Sequence, residues 1–491
     1  MKADYIKVKE INFVSITKCN MKKTINEHGF IQIEGIIKDK EEDNCILLAE
    51  RQSYIHVVAK KISGESKIIF CGYIDEMEID CDTVKIIKIK LVTGTKQLDL
   101  SVRTRTFQNI GMSYEEIIRS NDRQNANIKA SSKFLESGAN SIGNLIVQYQ
   151  ETDWEFAKRM ASRSQTFIRP SFQDEGCKYF WGLNKENKKT YEKPGSFFAY
   201  KVKKRNTEFQ KIKKRNIDSK LSEKDSYSYF FSSRNILEVG DCVLLNGKNL
   251  YVYANHGYFE GEELINHYEL RTADGFKQIT KYNKKIIGAS LSGNVVHANR
   301  DQIDMNLNVD AQYSDHGIKM FPYSTVYSSP DGTGWYCMPE PGDEIRLYFP
   351  SDREEEAYAI SSVHLEVSTT GINNDVSPTD VGTAGNAERQ EPNNKKFSNP
   401  AGKFIEFKPN SIEINNPAVG YIKLTDDEGI EIHSDKSIQF KAQNFIEVHS
   451  TTSEITMNAA TDITFEQGEN TKFKLNKNVY MSGGKFKLQE K

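Results

Sequence analysis

The sequence lacks any apolar run near the about 18 residues that a membrane-spanning helix requires. Its opening, Met1-Lys2-Ala3-Asp4-Tyr5, has neither the apolar stretch nor the small-residue cleavage site of a secretory leader, so no export signal is expected. Cysteine is sparse and unpatterned. Cys19, Cys45, Cys71, Cys81, Cys177, Cys242 and Cys337 form no Cys-x-x-Cys pair and no metal-ligand spacing, an odd set expected of reduced thiols in a chain made in the cytosol. Net charge is nearly absent: 66 basic residues face 68 acidic ones, which gives no overall case for a nucleic-acid partner. Apolar residues are themselves short. They make up 37% of the chain, and counting Gly in place of Tyr gives roughly 39%, against about 45–50% in ordinary globular chains. Disorder does not explain the shortage, because aromatics reach 11% and the net charge is only −2. The apolar residues sit instead in thin alternating strands, some of which need partner chains to finish their cores. At roughly 100–200 residues per domain, 491 residues imply about three to four domains.

Residues 1–105 read as strands. Ile31-Gln32-Ile33-Glu34-Gly35-Ile36 and Thr83-Val84-Lys85-Ile86-Ile87-Lys88-Ile89-Lys90-Leu91 alternate with period two. Ser113 followed by Glu116 is a capping-box pattern that opens a short helix, and residues 119–142 read as polar loop. Asn144 to Tyr149 is a strand, and Thr152 is the N-cap of a helix on which Trp154, Ala157 and Met160 share a face. Residues 166–285 return to strands. Between them lies a basic stretch from Lys201 to Arg215, which reads as a solvated face because acidic residues flank it. Residues 286–366 hold five of the twelve prolines, the mark of short strands joined by turns in a small barrel. Residues 367–400, rich in Asn, Thr, Gly, Ser and Pro, read as a linker.

Residues 401–491 carry the clearest pattern. Apolar doublets recur about every eight residues: Ile405/Phe407, Ile412/Ile414, Ile422/Leu424, Ile430/Ile432, Ile438/Phe440, Ile446/Val448, Ile455/Met457, Ile463/Phe465, Phe473/Leu475, Val479/Met481 and Phe486/Leu488. The residue between them is nearly always polar, so each unit is a strand with one apolar face. Burying two such side chains gives about 1.5–3 kcal/mol each. Ordering eight residues costs roughly 1–2 kcal/mol per residue. One unit therefore cannot fold alone and must stack on neighbours. Three arrangements satisfy that need: a one-chain β-helix, three chains wound into a triangular prism, or an antiparallel meander. The meander is the least expected, since Asn-Gly and Asp-Gly hairpin turns are largely missing.

The order of these segments resembles the VgrG family, spike proteins of contractile injection systems related to contractile phage tail hubs. The resemblance covers essentially the whole chain and rests on three stretches. Asn144 to Phe156 looks like the family's strand, then Glu-Thr-Asp and an aromatic, leading into a helix; Asp153, Trp154 and Phe156 are its key residues. Arg103 to Asn109, running into Tyr114 to Ile118, is similar to its arginine–aromatic–glutamine segment. Gly334 to Ile345 matches its small-barrel signature through Trp335, Pro339, Glu340, Gly342, Asp343 and Glu344.

This resemblance implies a mainly β architecture. Residues 1–285 would be a hub of two β-barrel-like subdomains with short helical insertions, and 286–366 an oligonucleotide/oligosaccharide-binding (OB-fold) barrel. After the 367–400 linker, 401–491 would be a triple-stranded β-helical prism of a homotrimer, with doublets 405 to 475 as its core. It implies a tube protein at the hub, a PAAR-type tip protein at the C-terminal end, effector cargo and the target cell envelope as partners. The chain would be assembled in the cytoplasm and exported on contraction. The linker is too short for an inserted lysozyme domain, the tail from Val479 to Lys491 has no His for a metal tip, and no attached effector is expected.

No catalytic, cofactor or metal residue is assigned. HExxH, GxSxG and P-loop patterns are missing, and His297, His316 and His364 show no ligand spacing. Tyr323, Tyr327, Trp335 and Tyr336 could stack bases, but Arg300, Lys319, Arg346 and Arg353 are too few to make a nucleic-acid face. A trimeric β-fibre adhesin is the alternative, against which Tyr421 and Tyr480 are few aromatics for a sugar-binding needle.

Overall fold

The computed structural model describes residues 5–61, 64–185, 191–192, 200–215, 221–245, 247–260, 263–310, 319–327, 329, 336–362, 393–468 and 471–475. The chain is mainly β, with 45% strand and 16% helix among the described residues. It divides into two compact units, Met1–Val367 and Ser368–Lys491.

The first unit is organised by a twelve-stranded sheet. Its N-terminal half runs, in spatial order, Tyr5–Val8, Ile55–Lys60, Ser66–Cys81, Lys85–Val92, Phe30–Ile37 and Phe13–Thr24. Strand Phe13–Thr24 then pairs with Lys248–Glu260, and the order continues through Glu263–Arg271, Tyr227–Ser233 and Lys201–Lys204. The period-two alternation explains the packing: Ile31, Ile33, Ile87, Ile89 and Leu91 all turn inward and are buried. They share one core with Leu250, Val252, Leu264 and Leu270 from the second half of the sheet.

Among the described residues four α-helices interrupt this scaffold: α1 (Glu41–Glu50), α2 (Tyr114–Gln124), α3 (Asp153–Arg163) and α4 (Asn206–Arg215). Both expected caps are present. Ser113 and Thr152 accept from the backbone N–H three residues on, and Glu116 and Glu155 accept in return. Three expectations need correction. Residues 41–50 were expected among strands and are helical, with Cys45 buried and Leu48 and Ala49 partly buried one turn on. The stretch 119–124 continues α2, since Asn121 adds a buried position one turn beyond Ile117 and Ile118. The basic stretch is a strand followed by α4, anchored by Phe209 and Ile212, while its charges stay exposed.

α2 and α3 build a second core with Trp154, Phe156, Met160, Tyr179 and Trp181. A third core belongs to a five-stranded antiparallel sheet ordered Phe321–Pro322, Gln302–Leu307, Ser290–Asn299, Glu344–Tyr348, Tyr358–Ser362. A parallel bridge between Tyr323 and Ala359 joins its two outer strands and closes it into a small barrel. Leu145 and Val147, at the strand leading into α3, complete this core beside Ile345, Leu347 and Phe349.

The second unit begins with a five-stranded antiparallel meander: Lys395–Ser398, Phe404–Lys408, Ser411–Asn416, Gly420–Thr425 and Gly429–Ser434. Its first strand lies inside the segment expected as linker. Over 395–434 the chain thus takes the third of the three arrangements considered for the repeat. No strand is assigned from 435 to 462, and a hairpin of Ile463–Gln467 with Thr471–Leu475 follows.

Candidate assembly surfaces and the clamps behind them

Asp153, Trp154 and Phe156, which carry the resemblance in its first stretch, are buried. Asp153 is the first residue of α3 and accepts from Asn125 Nδ2 (2.7 Å), Gln148 Nε2 (3.0 Å), Arg105 Nη2 (2.6 Å) and Arg103 Nε (3.2 Å). Burial pushes the Arg105 guanidinium down to about 10, and Asp153 opposes that shift. A carboxylate at a helix N-terminus is also favoured by the helix dipole. Trp154 packs on His28 with ring centroids 4.7 Å apart, and Phe156 stacks on Phe107 at 5.7 Å. His28 lies between Thr95 Oγ1 and Asp99 Oδ2, each at 2.8 Å.

One turn further along α3 is a cluster that the sequence did not announce. Arg159 donates to both oxygens of Glu151, to Glu354 Oε1 (2.9 Å) and to the Val147 carbonyl (2.6 Å). Arg163 donates to the other oxygen of Glu354 and stacks on Tyr282. Glu354 is fully buried. Burial alone would raise it, yet Arg159 and Arg163 hold it below the usual carboxylate range. Glu354 comes from the barrel and both arginines from the second core, so this cluster clamps the two together. A second clamp is Asp310, which accepts from the Thr106 N–H (2.8 Å), the Thr106 hydroxyl and Gln108 Nε2 (3.3 Å). A third is Asn283 Nδ2, which donates to the Tyr149 carbonyl at 2.7 Å. The barrel is therefore fixed to the second core by charged and polar bonds as well as by the shared apolar residues Leu145 and Val147.

The barrel signature makes a turn. Pro339 is buried. Asp343 accepts from the Glu340 N–H at 2.8 Å, Gly342 adopts φ +98°, and Glu344 starts the next strand opposite Asn294. Trp335, His316 and His364 lie outside the described residues, as do Val479, Met481, Tyr480, Phe486 and Leu488. His297 bonds Asp304. Tyr336 is exposed and donates to the Arg300 carbonyl, while Tyr323 joins the barrel closure. Among the described residues no group of three or more His, Cys, Asp or Glu could hold a metal ion, and no helix is long and apolar enough to cross a membrane.

In the second unit the doublets come into register. Phe397, Ile405, Ile414, Ile422 and Ile432 stand in one row across the five strands, and Phe407, Ile412, Leu424 and Ile430 in the next. The reverse face carries Lys396, Glu406, Glu413, Lys423 and Glu431 in a row of mostly alternating charge. Most of this apolar face is exposed among the described residues. Ile414 is 46% exposed, Ile430 71% and Phe407 51%. Beyond the meander, Ile438, Phe440, Ile446, Val448, Ile455 and Met457 are also exposed, each by 46% or more. In the final hairpin Ile463 faces Leu475 and Phe465 faces Phe473. So large an open apolar surface marks an interaction site.

No protein-family model matches the sequence, and no curated protein matches it. Solved structures do. The E. coli c3393 protein, a component of the type VI secretion system with structural similarity to T4 bacteriophage tail proteins gp27 and gp5, aligns at a TM-score of 0.51 and 11% identity, over 73% of this chain and 99% of that one. The chain has a VgrG-like fold. The half-lidded Francisella PdpA–VgrG complex matches at a TM-score of 0.53 and 10% identity, over 87% of each chain. Its lidless form matches at 0.51 and 10%, over 87% of this chain and 98% of that one. At such identities the likeness is one of fold. Within this fold Trp154 and Phe156 are core residues, and Asp153 ties the start of α3 to Arg105, Gln148 and Asn125.

Proposed function

We propose that the chain is the hub and spike of a contractile injection system, of the type VI secretion or phage-tail-like kind, and works as a homotrimer. Its job is mechanical: sheath contraction drives a needle through the target cell envelope, and no catalysis is involved. Residues 1–285 form the hub that meets the tube protein, 286–366 the OB-fold barrel, and 367–400 the connection. Residues 401–491 form the spike of the trimer, in which the open apolar faces of three meanders and the doublets beyond them meet around one axis, and this spike carries a PAAR-type tip protein and effector cargo. Nucleic acid is not a partner. The protein is assembled in the cytoplasm and leaves it on contraction.

The observation that carries this reading is the open apolar face of the second unit. Eight of the nine side chains aligned in two rows are exposed among the described residues, and the doublets from 438 to 457 lie on chain with no assigned strand. Backbone groups buried without partners cost about 1–3 kcal/mol each, so such a segment enters a dry core only by pairing with other chains. Three copies around one axis supply both cover and pairing. The clamped junction in the first unit supports the same reading, because a force-bearing part needs its subdomains bolted.

Solution mass and negative-stain microscopy of the purified chain test it. The expected result is three chain masses and a head bearing a thin rod. A particle of one chain mass overturns it, and a trimer whose rod binds surface glycans without puncture would favour a fibre adhesin.

A further inference from the structure

We infer that neighbouring copies dock head to tail through two helices of opposite charge, the exposed face of α1 on one copy against the exposed face of α4 on the next. This rests on the trimeric reading above and adds the surface that joins the hubs. α1 carries Glu41, Glu42, Asp43 and Glu50 and no basic residue. Its inner side is Cys45 with Leu48 and Ala49. Its outer side is Asp43, Ile46, Leu47 and Glu50, a single stripe at helical spacing, and all four are exposed. Glu42 pairs with Lys85 and Glu41 accepts from Asn12 and Asn44. Asp43 and Glu50 have no ion-pair partner among the described residues. The stripe therefore presents an apolar centre, Ile46 and Leu47 being about 40% exposed, between two free carboxylates.

α4 is its complement. Phe209 and Ile212 hold it to the body, while Lys211, Lys213, Lys214 and Arg215 are exposed and pair with no carboxylate among the described residues. Lys201 and Lys203 on the preceding strand extend the positive surface. Each helix lacks what the other offers. The carboxylates need counter-charges, and Ile46 and Leu47 need a cover that the methylene stems of lysines provide. The two patches differ, so the contact is heterologous, the type that closes into a ring when the rotation allows. α1 lies in the N-terminal half of the sheet and α4 beside its final strand, so one copy presents the two patches on different parts of the unit.

The test uses the full-length chain. A carbodiimide joins carboxylates to lysines in direct contact. Denaturing electrophoresis then isolates covalent dimers and trimers, and mass spectrometry identifies the joined peptides, while light scattering reports the mass before cross-linking. The expected result is peptides that join Asp43 or Glu50 to Lys211, Lys213 or Lys214. Asp43→Lys with Glu50→Lys abolishes these products, as does Lys211→Glu with Lys214→Glu, and the four reversals together restore them. All lie at exposed positions, and restoration separates lost contact from lost folding. A trimer without these cross-links, or one unaffected by the reversals, overturns the inference and leaves the trimer standing. A single-chain mass overturns both.

Discussion

Replacing Arg159 with Met tests the clamp between the second core and the barrel. Arg159 is almost wholly enclosed and serves Glu151, Glu354 and the Val147 carbonyl at once. Met keeps most of the volume and none of the charge. It leaves Glu151 without its cation and Glu354 with Arg163 alone. Breaking one partner out of a buried ion cluster costs about 3–5 kcal/mol. For domains of a few hundred residues each kcal/mol moves the thermal midpoint by about 2–4 °C, so a fall of roughly 6–20 °C is expected. Differential scanning calorimetry of the full-length chain reads it. The defect also depends on pH in a fixed direction. Glu354 is held below its ordinary value in the native protein, so its stabilisation is present above an unfolded carboxylate pKa near about 4.3 and is lost as pH falls through the lower native value. In the variant the unpaired carboxylates gain from protonation, so the gap to the parent is widest at neutral pH and closes in acid. Replacing Glu151 and Glu354 with Leu and Arg163 with Met in the Arg159→Met background recovers much of the loss, because an apolar cluster of similar volume has no charge to leave unpaired. A midpoint within 2 °C of the parent at pH 7, where an order-of-magnitude loss of about 1 kcal/mol would already show, would refute the idea that this junction is dry and charge-locked.

Further outcomes follow from the same geometry. Ile422→Asp with Ile432→Asp leaves the first unit's thermal transition unchanged but makes the trimer dissociate at higher concentration in light scattering; a trimer as resistant to dilution as the parent would remove the apolar face from the assembly. Burial lowers His28 despite Asp99, so the protein loses stability as pH drops from about 6.5 through the lower native value. His28→Gln flattens that part of the midpoint-against-pH curve, and an unchanged slope would count against it. A Cβ on Gly420 would sit 2.1 Å from the His433 carbonyl, and φ there is +145°. Gly420→Val therefore disrupts the pairing of Gly420–Thr425 with Gly429–Ser434, visible as faster amide exchange in both strands.

Local chemistry made parts of this architecture legible. Ser113 and Thr152 announce their helices because a capping box is a contact between residues three apart. Ile31, Ile33, Ile87 and Ile89 announce their strands because alternation is intrinsic to the pleat. The doublets from 405 to 432 and from 463 to 475 announce one-faced strands, and the structure puts their side chains in register, whereas those from 438 to 457 form no strand. Their pairing partners were not legible, since a meander, a β-helix and a prism all demand the same alternation. α1 was missed because Glu-Glu-Asp-Asn-Cys-Ile-Leu-Leu-Ala-Glu has weak periodicity in either sense, and its burial comes from the sheet behind it. The Arg159–Glu354 clamp was invisible for a simpler reason: 195 residues separate its partners, and Glu354 sits in a run of three glutamates with nothing to single it out.

The uncovered second unit also has a temporal meaning. In the trimeric reading, a newly made chain holds apolar strands that can be satisfied only by sisters it has not yet met. Synthesis delivers the first unit before the second, and domains generally fold as units in that order. Once first units have met, the remaining segments search within one tethered volume, where effective concentrations reach the millimolar range for short flexible connections. The hub then acts as an assembly template for its own needle, and any lesion that slows hub association leaves sticky strands in the cytoplasm for longer.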